Sequence, residues 1–211
     1  MDSKPKLHCI CKPKGCRHGI PDYCVANDYR DEIDRARQQY NTSDNIAIYE
    51  AASIVGAKSD GFRPRIEEAL DFCKQLNLTR IGFAACNAFE SELALLRTLF
   101  TERGFEVIAV ACQIGKVTAE QRGTPHLAEY TNANCNPIAQ AEILNAEGTE
   151  LNFIVGLCMG HDILFARHSK APVSTLIVKD RMMGNNPAAA LYGYHARRSL
   201  FGLKRRDDRM V

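Results

Sequence analysis

Four short, almost wholly apolar runs punctuate the chain from residue 79 onward: "TRIGFAAC", "FEVIAVACQ", "LNFIVGLC" and "VSTLIVKD". Helix-length stretches separate them: "FESELALLRTLFTERG", closed by Gly104, then "NPIAQAEILNAEG", with Asn136 as cap and Pro137 in its first turn, then the shorter "DILFARHS". A strand with one face in water alternates apolar and polar residues, whereas a strand without that alternation is buried on both faces. Such strands alternating with helices imply a parallel sheet covered on both sides. The expected fold class is therefore α/β, a doubly wound, mainly parallel sheet of about four or more strands. "NNPAAALYGYHA" repeats the Asn-Pro start and is expected as a closing helix. Upstream, "YRDEIDRARQQY", "NIAIYEAASIVGA" with Ser43 as cap, and "RPRIEEALDFCKQLN" read as helices, the last with Ile66, Leu70 and Cys73 on one face.

This arrangement gives the cysteines a common address. Cys86, Cys112 and Cys158 fall at the last residues of three strands, and Asp180 ends the fourth. In an open parallel sheet, ligands bind outside the carboxyl ends of the strands. Cys135 precedes the Asn-Pro helix start, where the helix dipole favours a thiolate. His161 and Asp162 open the helix after Cys158, and Lys179 and Arg181 flank Asp180. Cys86, Cys112, Cys135 and Cys158 are the expected cofactor-binding thiols, with His161, Asp162 and Asp180 as candidate catalytic groups. Lys179 and Arg181 are candidates for holding an anionic substrate. Cys73, inside an apolar stripe, reads as core. His126, His168 and His195 have no partner that the sequence suggests.

The chain has 211 residues and nine cysteines, an odd number in a protein large enough to build a core without disulfides. Its start, "MDSKPKLHCICKPK", has no apolar stretch of the signal-peptide kind, and no later apolar run approaches the roughly 18 residues of a membrane span. A cytoplasmic protein with reduced thiols is expected. The formal charge of +2 gives no reason to expect nucleic acid or an anionic membrane as partner. Residues 1–27 are poor in aliphatics but carry Cys9, Cys11, Cys16 and Cys24 in a C-x-C-x4-C-x7-C array, with His8 and His18 interleaved. A segment that cannot build a core can be ordered by a metal, here zinc or an iron–sulfur cluster. The expected division is a cysteine-rich segment over 1–27, an α/β domain over 28–198 and a basic tail over 199–211.

The run "CNPIAQAEILNAEGTELNFIVGLCMGHDILFARHSKAPVSTLIVKDRMMGNNPAAALY", Cys135 to Tyr192, together with "RIGFAAC" and "VIAVACQIGK", closely resembles the domain of unknown function 1847 family. The resemblance covers most of the chain after about residue 45. It implies metal binding, thiols at Cys86, Cys112, Cys135 and Cys158, and a cysteine-rich start. It implies no particular reaction. The leading expectation is a metalloprotein with two sites, an N-terminal four-cysteine site and an iron–sulfur centre at the strand ends. Its chemistry would be redox work, with a redox partner, or activation of a small anion. Two alternatives stay open: a thiol enzyme with Cys158 or Cys135 as nucleophile beside structural zinc, and a zinc-stabilised interaction module.

Overall fold

The computed structural model describes residues 24–128 and 134–202, together with Gly19 and Asp22. Cys9, Cys11 and Cys16, and the tail beyond Gly202, lie outside the described residues. The chain divides into two compact units, Met1–Ala57 and Lys58–Val211.

In the first unit a 3-10 turn at Val25–Tyr29 leads into α1 (Arg30–Gln39), and α2 (Ser43–Ser59) follows after three residues. Cys24 caps the 3-10 turn, its sulfur accepting the Ala26 N–H at 3.5 Å. Ser43, expected as a cap, is itself the first helical residue of α2. The Asn45 side chain donates to the Gln39 carbonyl at 2.8 Å, and Tyr40 meets Tyr49 edge-on, which fixes the reversal between the helices.

The second unit holds the sheet. Its elements are α3 (Arg65–Gln75), β1 (Arg80–Ala85), α4 (Glu90–Glu102), β2 (Glu106–Ala111), α5 (Pro137–Ala146), β3 (Leu151–Val155), α6 (His161–His168), β4 (Val173–Ile177), α7 (Ala188–Tyr192) and α8 (Tyr194–Phe201). The strands are all parallel, in the order β2-β1-β3-β4. Every residue of β3 and all but the first of β1 are buried, as unalternating apolar strands require when both neighbours and both faces are covered.

Side-chain alternation sorts the helices between the two faces. Phe83 of β1 points toward α4, meeting Phe100 edge-on at 5.1 Å in a cluster with Phe153 and Phe105. Gly82, its neighbour, faces the other way, where Asn152 of β3 and Leu144 of α5 leave no room for a Cβ. The buried Asn152 is satisfied there, accepting from Thr149 and donating to Ser169. Helix α6 packs beside α5 on that face. Neighbouring strands β1 and β3 thus send their following helices to opposite faces, which makes their carboxyl ends the topological switch point of the sheet. At the edge of the sheet Arg65 of α3 clasps β4, donating to the Thr175 carbonyl and the Ser174 hydroxyl. The closing helix expected as one piece is two, α7 and α8, because the chain is extended at Gly193.

Candidate functional site

Each strand of the sheet delivers a chemically active side chain to the same rim. Cys86 directly follows β1 and continues its ladder, its N–H donating to the Val155 carbonyl at 3.0 Å. Cys112 directly follows β2, and its carbonyl accepts the Asn136 N–H at 2.7 Å. That bond brings Cys135, one residue earlier, against Cys112, and the two sulfurs are 3.8 Å apart. Asn136 and Pro137 start α5 as expected, the Asn136 side chain accepting the Ala139 N–H.

Cys158 follows β3 through Gly156, whose φ of +65° turns the chain out of the strand. The Cys158 carbonyl then accepts the N–H groups of His161 and Asp162, closing the turn that begins α6. From the end of β4 comes Lys179. Its Nζ lies 3.0 Å from the Cys86 sulfur and 3.2 Å from the Cys158 sulfur. All four thiols are free. Cys86, Cys112 and Cys135 are buried, and Cys158 is half-buried.

The electrostatics separate these thiols. Burial pushes the Cys86 thiol up, but the Lys179 ammonium and the Ala88 N–H outweigh it and hold Cys86 below the ordinary thiol range. Burial pushes the Cys112 thiol up to about 12, and the neighbouring sulfurs of Cys135 and Cys86 act in the same sense. Cys112 is therefore a proton donor, and its S–H is directed at Asn87 Oδ1, 3.5 Å away. Burial acts to lower the Lys179 pKa, but its bonds to the two sulfurs raise it above the usual lysine value. Burial, then the charges of Arg122 and Lys179, hold the His161 imidazole below its usual range against the pull of Asp162. His161 is thus neutral at pH 7 and stands within the field of Lys179; no hydrogen bond joins its ring to a sulfur among the described residues.

The remaining candidates are occupied locally. Asp162 Oδ1 accepts the N–H groups of Gly160 and Ile163, and Asp180 Oδ1 accepts those of Met182 and Met183, so both carboxylates hold their own turns. Arg181 is exposed. Cys73 is fully buried in the core, its thiol pushed up to about 12 by burial. Three contributors went unread in the sequence. Asn87 receives the Cys112 thiol, and the Cys-Asn pair that it forms with Cys86 is repeated at Cys135-Asn136. Arg122 lends its charge to the His161 environment. Gln140 of α5 spans the ends of β1 and β2, donating to the Ala85 and Val110 carbonyls, while its buried Oε1 has no partner among the described residues.

Two sulfurs on one tetrahedral ion with bonds of about 2.3 Å stand about 3.8 Å apart. The Cys112–Cys135 separation matches that spacing. Among the described residues, however, no group of three or more His, Cys, Asp or Glu side chains is arranged as a ready-made site for one ion. Cys86 and Cys158 turn instead toward Lys179. No helix among the described residues is long and apolar enough to cross a membrane.

Comparison with known proteins agrees with the cysteine-bearing segments. The family described as "Protein of unknown function (DUF1847)" matches residues 24–176, which include Cys86, Cys112, Cys135 and Cys158. An uncharacterized protein of Methanocaldococcus jannaschii is 38% identical over 175 residues, which are 82% of this chain and 90% of that protein.

Proposed function

Since this chain belongs to the DUF1847 family, which brings a sequence pattern but no reaction, we propose from the site itself that the protein is a metalloprotein. In this reading Cys86, Cys112, Cys135 and Cys158 bind a soft metal centre at the carboxyl ends of the sheet. The observation that carries it is the lysine. An ammonium withdrawn from water is costly unless it is paired, and Lys179 contacts two sulfurs at 3.0 and 3.2 Å. Ordinary core cysteines such as Cys73 have no such company. The pocket is built to hold negative sulfur, and thiolate is the form that metals bind.

The donor set is soft and all-sulfur, which suits zinc or iron–sulfur and disfavours magnesium or calcium. Sulfurs in two pairs, one around Lys179 and one at Cys112–Cys135, suit a polynuclear iron–sulfur cluster more than a single ion. Such a centre, when bound, would supply electron transfer or Lewis acidity. Lys179 and Arg181 would draw a small anionic substrate to the rim. His161, neutral at pH 7, would accept a proton there, and Asp162 and Asp180 would keep its turn and theirs in shape. A second metal site, at Cys9, Cys11, Cys16 and Cys24, belongs to the same proposal on sequence grounds. Its metal, zinc or a cluster, would order the start of the chain.

The test is the metal and acid-labile sulfide content of full-length protein purified without oxygen, with its absorption spectrum. A core metal that disappears in Cys112→Ser and Cys135→Ser, while the N-terminal site stays filled, is the expected result. Wild-type protein whose four strand-end thiols are all free to titrate, with metal only at the N-terminus, would refute it. That outcome would favour a second reading, which rests on the Lys179–Cys86 contact: a thiol enzyme with a lysine-stabilised thiolate. Its nucleophile would then be Cys86, or Cys158 on the other side of the same lysine, rather than a cysteine activated by His161.

A further inference from the structure

Lys179 contacts sulfur on two sides, and this has a chemical outcome that requires no bound metal. We propose that Lys179 and Cys158 form a covalent sulfur–nitrogen crosslink when the reduced, unligated protein meets hydrogen peroxide. Two features select this pair. Cys158 is half-buried while Cys86, Cys112 and Cys135 are buried, so it is the sulfur of the four that an oxidant in solution reaches. The Lys179 nitrogen lies 3.2 Å from it, already in contact. A disulfide with Cys86 would require the two sulfurs to close to about 2.05 Å, displacing the ammonium that contacts both.

The Cys158 thiolate attacks one peroxide oxygen, the O–O bond breaks, and sulfenic acid and hydroxide form; sulfur is oxidised by two electrons and peroxide is reduced. The Lys179 ammonium gives a proton to the hydroxide, making water and a free amine. The amine attacks the sulfenic sulfur, the S–O bond breaks, the S–N bond forms, and the departing hydroxide takes one of the two amine protons as a second water while the other stays on the sulfenamide nitrogen. One thiolate, one ammonium and one peroxide become one sulfenamide and two waters. The link joins the segment after β3 to the segment after β4 at the rim of the sheet and removes Cys158 as a ligand or nucleophile. A thiol reductant reverses it.

The experiment uses full-length protein, reduced, treated with chelator and given one equivalent of hydrogen peroxide, followed by trypsin digestion and mass spectrometry. The expected product joins the peptide containing Cys158 to the one containing Lys179, about 2 Da below the sum of the two. Trypsin fails to cut after Lys179, and dithiothreitol restores both peptides. Cys86→Ser keeps the crosslink, whereas Lys179→Arg loses it and leaves Cys158 as sulfenic acid, which dimedone traps. A Cys86–Cys158 disulfide in the wild-type protein, or dimedone-trapped Cys158 sulfenic acid beside an unmodified Lys179, overturns the proposal. Because the protein is chelated first, these outcomes do not depend on whether the core binds metal.

Discussion

Gly156 and Gly160 flank Cys158, and their replacement by alanine should have unequal consequences. Both have positive φ, +65° and +89°, which costs an alanine roughly 1–2 kcal/mol. At Gly160 nothing lies within 4 Å of an added Cβ. At Gly156 the Cβ would run into the Phe89 ring, which packs over the turn from the 3-10 segment after β1. We expect Gly160→Ala to lower stability by about 1 kcal/mol and Gly156→Ala by about 3 kcal/mol or more, the difference being the displaced ring. Urea unfolding measures both, and equal losses would contradict the packing role assigned to Phe89. A loop with two glycines beside a cysteine is readable as a place of close approach; what approaches is not. Phe89 comes from 67 positions earlier in the chain by the numbering of the two residues, and no local pattern links them. The same limit hid the Lys179 contacts. The sequence brings Lys179 to the rim, but its reach to sulfur rather than to solvent is decided by side chains on other strands.

Among the elements, the start of the sheet is fixed by one carboxylate. Glu150, just ahead of β3, accepts the Thr79 and Arg80 N–H groups at 2.6 and 2.7 Å and the Thr79 hydroxyl at 2.9 Å, tying β3 to the first residues of β1. These bonds, the Arg80 N–H foremost, hold its carboxyl below the usual glutamate range against the opposing effect of burial. A depressed folded-state pKa contributes stability that is complete above the unfolded value, near 4.3, and is lost as pH falls through the folded value. Glu150→Gln should therefore cost on the order of 1 kcal/mol at pH 7, since the group is exposed and solvent screens it. The gap to wild type should narrow as the pH drops below about 4. A gap that is the same at pH 7 and pH 3 would rule out the charge as its source. Elements of this kind were legible where periodicity and punctuation agreed: β1 to β4, the Asn-Pro start of α5 and Gly104 after α4 follow from their own residues. Legibility failed at Gly193, where "ALYGYHA" kept a helical apolar pattern across a residue that the fold uses in an extended conformation. One glycine inside a helical pattern is tolerated at a cost of about 1 kcal/mol, so the local residues could not decide it.

On the scale of the whole molecule, all four strands, the helices that cover them and every strand-end thiol lie within Lys58–Val211. That unit buries an aromatic cluster on one sheet face and the Asn152 network on the other, which is a complete core in itself. We expect a chain beginning at Lys58 to unfold in one cooperative transition by circular dichroism and heat; a broad, non-cooperative melt would show that the first unit is needed. The rim itself draws on five positions, Cys86, Cys112, Cys135, Cys158 and Lys179, spread over more than ninety residues of sequence. No fragment ending short of Lys179 can assemble it, however well its helices form. During synthesis, then, thiols emerge from the ribosome one after another with no partner, and the constellation closes only after β4 has been made and docked beside β3. The pairing of two sulfurs with one lysine is in this way a property of the folded chain and not of its parts, so that possession of the site certifies completion of the sheet.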